Sequence, residues 1–288
     1  AGHRHRFDRS VLKETISRNI PLIYRAEAND SARKRSILKA FIRSAILKRL
    51  YRRIDLCLYI GEEARRHYLK HGVPANKLIF SPYCVETSHL RLEEVERERF
   101  RNETRKKFGI MGHETVILFS GKLSHRKGVD LLVAAAHQLS KSDLVLLFVG
   151  DGDLRDSLKA MTGPTRLVFA GFKNQSQLSR FYHAADLLAL PSRHSETWGL
   201  VVNEAMHHGL PSVVSDTVGC HLDLIVSGET GEVVKACDVT SLAVGLNNCM
   251  RYAKLIETRH IVQNKISAYS VAFAAEGVKR AWQILTSR

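Results

Sequence analysis

The sequence predicts an α/β protein built on parallel, doubly wound sheets. From residue 114 on, short β-branched apolar runs alternate with segments of helical period. The runs are almost continuously apolar, which fits strands covered on both faces by crossover helices better than hairpin strands with one wet face. The first third adds three more apolar runs around a helical stretch, so the same class extends there.

Taken in chain order, IPLIYRAE (20–27), IDLCLYIG (54–61) and KLIFSPY (77–83) read as buried strands. Between the first two lies a basic helix over 33–53. Its Ile37, Leu38, Phe41, Ile42, Ala45 and Ile46 recur near the helical period, with Lys and Arg around them. EEVERERFRNETRKKFG (93–109) is charged and helical, and reads as a connector. Then come TVILFSG, LVLLFVG, RLVFAGF, DLLALPS, PSVVSD and GEVV, each followed by a helical segment. This gives three parts: a partial domain with its connector over 1–108, a doubly wound domain over 109–270, and a last helix over 271–288. Ligands of open α/β sheets bind beyond the carboxyl ends of the strands, so functional residues are sought there.

Composition narrows the class. With 288 residues the chain is long enough for two cores. LVLLFV, the longest clean apolar run, is too short to span a bilayer. Five cysteines without a CxxC argue against a disulfide framework or a zinc site and for a reducing compartment, hence a cytoplasmic protein. The chain opens AGHRHRF, without an initiator Met or a capped first element, and so reads as truncated at its N-terminus. These residues are silent on any upstream targeting signal. Charge is lopsided: residues 1–108 hold 26 Lys and Arg against 13 Asp and Glu, and the remainder 18 against 16. That excess suits an anionic surface. The basic helix 33–53 would lie on the inner face of a membrane or, equally, pack its stripe on its own sheet. Nucleic acid is not expected, because no recognition motif or aromatic platform accompanies the charge.

PSRHSETWGLVVNEAMHHGLPSVVSD (191–216) holds the sharpest pattern. A strand ends near Pro191 and a helix starts around Trp198–Leu200, where unpaired amides and the helix dipole favour phosphate. Glu196 precedes the junction and Glu204 lies about one turn into the helix. Two acids beside a phosphate site make sense as acceptors for hydroxyls on either side of a diphosphate. Otherwise they are a loop acid and a helix-surface charge.

The whole run resembles the signature of family-4 (group 1) retaining glycosyltransferases of the GT-B fold, Glu196-x7-Glu204 being its E-x7-E. The resemblance implies that Glu196 faces the transferred sugar and that Glu204 holds the ribose hydroxyls. Thr197, Trp198, Gly199, Leu200 and Val201 would then meet the diphosphate. FSGKLSHRKGVDLL (119–132) resembles the family's G-[RK]-L…KG segment, which places Gly121, Lys122 and Lys127 at the donor diphosphate. The two lysines and Glu196 are the candidate catalytic residues. Arg126 stands beside Lys127 with no separable role. VFAGFKNQSQL (168–178) resembles the segment lining the base, through the backbone of Phe172 and Lys173. PLIYRAEAND, PYCVE and the last helix resemble the family's acceptor-side domain, with Glu86 standing where the family usually has Asp. That last helix would cross back to the first domain. The family's first strand and glycine-containing loop are missing from the resemblance.

Asp151-x-Asp153 in VGDGD looks like a metal-binding DxD but reads better as a turn and helix cap. No metal or cofactor is expected. His194, His207 and His208 read as idle, with the last two capping a helix C-terminus. Asp216 and Asp223 read as structural, and His3 and His5 have no assignable role.

The expectation is a hexosyltransferase that moves a sugar from a UDP-, GDP- or ADP-linked donor to a hydroxyl of a glycan or lipid-linked acceptor, with retention. Two other readings use the same residues: a non-catalytic nucleotide-sugar-binding fragment, and a GT-B sugar-nucleotide epimerase.

Overall fold

A computed structural model describes residues 6–30, 36–86 and 93–287. His3, His5, the first residues of the basic helix and Arg288 lie outside that range. The chain divides into two compact units, Ala1–Cys84 with Ala268–Arg288, and Val85–Ser267.

The first unit runs α1 (Arg6–Ser17), β1 (Ile23–Arg25), α2 (Ile37–Tyr51), β2 (Leu56–Tyr59), α3 (Glu62–Lys70) and β3 (Leu78–Phe80). Its three strands form a parallel sheet in the order β1-β2-β3. Tyr24 pairs with Cys57, and Cys57 with Leu78. Leu56, Leu58 and Ile79 form its buried apolar cluster. The apolar stripe of α2 does not pack on this sheet. The helix turns Leu47 and Tyr51 inward, while Ile37 (91% exposed), Leu38 (70%), Phe41 (74%), Ile42 and Ile46 face solvent.

The second unit begins with α4 (Glu94–Lys107), then β4 (Thr115–Ser120), α5 (Val129–Leu139), β5 (Leu144–Val149), α6 (Arg155–Ala160), β6 (Arg166–Gly171) and α7 (Gln175–Ala184). It continues through β7 (Leu187–Leu190), α8 (Leu200–His207), β8 (Ser212–Ser215), α9 (His221–Leu224), β9 (Gly231–Val234), α10 (Val239–Met250) and α11 (Ile256–Ile266). All six strands are parallel, in the order β6-β5-β4-β7-β8-β9. Counted within the unit this is 3-2-1-4-5-6, the dinucleotide-binding order, and it reverses between β4 and β7. The apolar runs become strands because burial on both faces rewards unbroken apolarity. All of β5, β7 and β8 is buried, whereas the edge strand β6 is half-exposed.

The segment read as a connector is part of the second unit. Arg105 of α4 is buried and donates to the carbonyls of Ala184 (2.9 Å) and Glu114 (3.0 Å) and to Asp186 Oδ2 (2.9 Å). Arg101 reaches Asp186 Oδ1 at 2.6 Å. These bonds pin α4 to the start of β7. The anchoring is polar, so no apolar period announces it. The last helix, α12 (Val271–Thr286), packs on β2 and β3, and Ser81 Oγ donates to the Ala274 carbonyl at 3.0 Å.

Candidate functional site

Open sheets of this order hold a crevice at the carboxyl ends of the strands where the order reverses, here β4 and β7, and the loops leaving those two strands carry most of the singled-out residues. Gly128 has φ +69°, and a Cβ there would lie 2.1 Å from the Pro191 carbonyl oxygen. Glycine alone lets the β4–α5 loop lie against the β7–α8 loop this closely. The backbone amide of Arg193 donates to the Arg126 carbonyl at 2.9 Å. Its guanidinium grips Asp130 with two bonds of 2.6 and 2.7 Å. Burial would raise the Asp130 carboxyl, but the Arg193 hydrogen bonds and charge bring it below the ordinary carboxylate value.

This junction brings Lys127 onto Glu196. Lys127 Nζ stands 2.5 Å from Glu196 Oε2, with both side chains largely sheltered. Arg126 (3.3 Å) and Ser192 Oγ (3.1 Å) donate to the same oxygen. Glu196 is fixed through its backbone as well, since its carbonyl accepts from the Gly219 amide at 3.0 Å. Ser195 before it sits at φ +59°, a strained position for a residue with a side chain. Lys122 is apart from this group: 62% exposed, with Asp153 3.4 Å away.

The next helix starts at the other side of the crevice. Gly199 is the N-cap of α8 at φ 101°. The amides of Leu200 and Val201, in the first turn, have no carbonyl four residues back within the helix. Trp198 is buried and donates from its indole nitrogen to Asn203 Oδ1 at 2.8 Å, which fixes the turn. Thr197 is half-buried.

Glu204 is not a surface charge. It is 9% exposed and both carboxylate oxygens accept from α7: Oε1 from Gln175 at 2.9 Å and Oε2 from Tyr182 at 2.5 Å. Tyr182 is fully buried, and burial, with the Glu204 charge added, pushes its phenol well above the ordinary value. His208 stacks on the Tyr182 ring at 4.8 Å and accepts from or donates to Ser179 at 2.9 Å. Its Nδ1 lies 2.7 Å from the Glu204 carbonyl, the helix-capping position read from the sequence. Phe172 and Lys173 follow β6 at the same carboxyl edge of the sheet, with Phe172 72% exposed.

Of the remaining motif residues, Asp151 and Asp216 hold backbone amides. Asp151 accepts from the Gly152 amide at 2.8 Å and pairs with Arg155 at 3.0 Å, so it serves the turn. Asp216 accepts from the Ala236 amide at 3.1 Å. His194 is exposed, 3.0 Å from its neighbour Ser195 Oγ. Sequence reasoning missed Tyr182, Gln175, Asp130 and Arg193. Each acts on a partner 22 to 63 residues away, and no local spacing signals that.

The family profile of the Glycosyl transferases group 1 matches residues 100–266, more than half of the chain. The chain belongs to that family. It is 33% identical over 151 residues to an uncharacterized glycosyltransferase of Methanocaldococcus jannaschii, covering 51% of this chain and 38% of the relative. It is 25% identical over 248 residues to the lipopolysaccharide 1,2-N-acetylglucosaminetransferase of Salmonella typhimurium, covering 79% and 63%. The matches thus span less than two thirds of either relative. Among solved structures, HepE of Anabaena in complex with UDP superposes with a TM-score of 0.73 at 18% identity, over 96% of this chain and 75% of that one. Sucrose-phosphate synthase of Thermosynechococcus elongatus gives 0.74 at 20% identity, over 98% and 72%. The fold is GT-B, with two Rossmann-like units of parallel sheet.

Proposed function

We propose that this chain binds a nucleoside diphosphate sugar in the crevice between β4 and β7 and transfers the sugar to an acceptor hydroxyl with retention, as a family-4 enzyme. The observation that carries this reading is the convergence on one crevice of Lys127, Arg126, Glu196, the α8 N-terminus and Glu204. The diphosphate lies at the first turn of α8, where the amides of Leu200 and Val201 and the helix dipole meet it. Lys127 then exchanges Glu196 for phosphate. A diphosphate carries more negative charge than one carboxylate, so Coulomb attraction favours the exchange at equal distance. Glu196 is thereby released to accept from a sugar hydroxyl. As the bond to the anomeric carbon breaks, charge grows on the leaving phosphate, and Lys127, Arg126 and Lys122 stabilise it. Fixed cations serve here in place of a divalent metal.

Glu204 holds the ribose. A carboxylate offers about four acceptor sites, and Tyr182 and Gln175 use two, so the others remain for hydroxyls. Phe172, exposed at the carboxyl edge, offers a face for the base. HepE binds UDP in its solved complex, which supports a uridine donor first, ahead of GDP and ADP. The Salmonella relative is a lipopolysaccharide N-acetylglucosaminetransferase, which supports a glycan or lipid-linked acceptor. Among the described residues no helix is long and apolar enough to cross a membrane. The exposed apolar face of α2, with Lys39, Lys48, Arg49 and Arg52 also exposed, suits peripheral attachment to an anionic lipid surface.

Calorimetric titration with UDP, GDP and ADP, followed by product analysis with the matching UDP-, GDP- or ADP-sugars, tests the reading. One nucleotide should bind and its sugar should be transferred with retained anomeric configuration. An inverted product would remove the family-4 mechanism. Binding without any transfer would favour the non-catalytic module, and an epimerised donor the epimerase.

A further inference from the structure

We propose that Asp30, His67 and His71 form a zinc site in the first unit. His67 lies on α3 and His71 just beyond its end, four residues on, so both project from one face of the helix. Asp30 comes from the segment after β1. The donor atoms of the three side chains lie within 4.8 Å of one another. His67 Nδ1 is 3.1 Å from Asp30 Oδ1, and His71 Nε2 is 3.4 Å from Asp30 Oδ2. Zinc with ligands at ~2.0–2.1 Å in a tetrahedron holds its donor atoms about 3.3 Å apart. Whichever carboxylate oxygen binds, one of the three separations is therefore already in place.

Hydrogen bonding of the rings points the same way. His67 Nε2 meets the Tyr51 hydroxyl at 2.9 Å, and His71 Nδ1 meets Ser44 Oγ at 3.2 Å. Both hydroxyls belong to α2, and both can accept an N–H. That tautomer leaves a lone pair on each inward nitrogen, the arrangement of metal-bound histidines whose far nitrogen is held by a hydrogen bond. The inward atoms, His67 Nδ1 and His71 Nε2, are buried and make no hydrogen bond. They lie against the carboxylate at 3.1 and 3.4 Å. Two buried imidazoles are thus left with unused nitrogens facing one carboxylate, which a cation would satisfy.

Arg43 donates to Asp30 Oδ1 at 2.7 Å and would orient the carboxylate from outside. Lys70, 3.7 Å from Oδ2, is 69% exposed and free to swing away. The neighbouring cations disfavour weakly held hard ions. Two imidazoles with one carboxylate favour zinc over magnesium or calcium, and a solvent molecule would complete four-coordination. The ion would tie the segment after β1 to α2 and α3. It takes no part in sugar transfer, and the site does not rest on the donor-site reading.

The test uses the whole chain, stripped with a chelator and then titrated with Zn²⁺ and, separately, Co²⁺. Calorimetry should show one strong Zn²⁺ equivalent, and Zn²⁺ should raise the melting temperature by several degrees. Co²⁺ should give the intense visible bands of a tetrahedral complex. The double variant His67→Gln, His71→Gln should lose both responses while still melting cooperatively. Asp30→Asn, a milder change at a partly exposed residue, should weaken Zn²⁺ at least about tenfold. It keeps the test decisive if the double variant does not fold. Absence of tight Zn²⁺ binding by the parent chain, an octahedral Co²⁺ spectrum, or undiminished binding by the variants would overturn the site and leave a polar Asp–His cluster.

Discussion

Lys127 and Glu196 neutralise each other at 2.5 Å, and the proposed function gives the two acids of the motif separable duties because their surroundings differ. Glu204 is bound on both oxygens and nearly buried, whereas Glu196 faces the cations of Lys127 and Arg126. Glu204→Ala should weaken free nucleoside diphosphate about 10- to 100-fold, the loss of a charged hydrogen bond of ~1.5–3 kcal/mol. The 2′,3′-dideoxy nucleotide should lose far less, because it has no hydroxyl to offer. Glu196→Gln frees Lys127, so it should not weaken free nucleotide binding, and it should cut transfer. Equal losses for ribose and dideoxyribose forms would sink the role given to Glu204. His183 gives a second prediction. It is buried, and burial, with His208 and Arg101 adding, lowers its pKa from 6.5 to about 3. The unfolded chain takes up a proton that the folded chain refuses, so stability is full above the unfolded value and is lost as pH falls toward the folded one. The slope is at most about 1.4 kcal/mol per pH unit. Melting curves of parent and His183→Phe between pH 6.5 and 4.5 should show a flatter fall for the variant. Parallel curves would mean that His183 does not carry this dependence. Glu196 and Glu204 were singled out from one contiguous run and Lys127 from another, and the structure brings Lys127 onto Glu196. Tyr182 and Gln175 were not, because only the packing of α7 on α8 brings them to Glu204.

At the scale of elements, the six strands of the second unit were legible as apolar runs and their parallel pairing as crossover connections, while their order came only from the structure. Two helices were legible as helices but not in where they pack. α4 reads as a linker because its buried residues are Thr104 and Arg105. α2 has the period of a packed helix, yet its stripe is exposed. Full burial of Ile37, Leu38, Phe41, Ile42 and Ile46 would contribute ~1.5–3 kcal/mol each, against about 1 kcal/mol for each Lys or Arg near an anionic surface. The apolar share is therefore the larger one. Exchanging Phe41, Ile42 and Ile46 for Ser should abolish sedimentation with anionic liposomes at both low and high salt. Reversing Lys39, Lys48, Arg49 and Arg52 should weaken it at low salt only. Persistent attachment of the Ser variant would remove α2 from the membrane.

For the molecule as a whole, the proposed function rests on where the sheet order reverses. A parallel sheet wound both ways leaves one crevice between the strands at its reversal, and here those strands are β4 and β7. Their loops come from positions some seventy residues apart, and the family match at 100–266 encloses both. On the proposed reading, a nucleotide in that crevice touches three separate stretches of chain: 121–130 after β4, 172–182 from β6 into α7, and 193–206 from the β7 loop through α8. Hydrogen exchange read by mass spectrometry should show protection in these three stretches together when the bound nucleotide is added. Protection of 193–206 alone would mean that the phosphate site forms without the base and lysine contacts. Protection confined to the first unit would place the ligand elsewhere. Zinc provides the contrasting case: it should slow exchange around 28–30 and 62–71 and leave the crevice unchanged. The two ligands would then report on the two units independently, each through the residues that hold it.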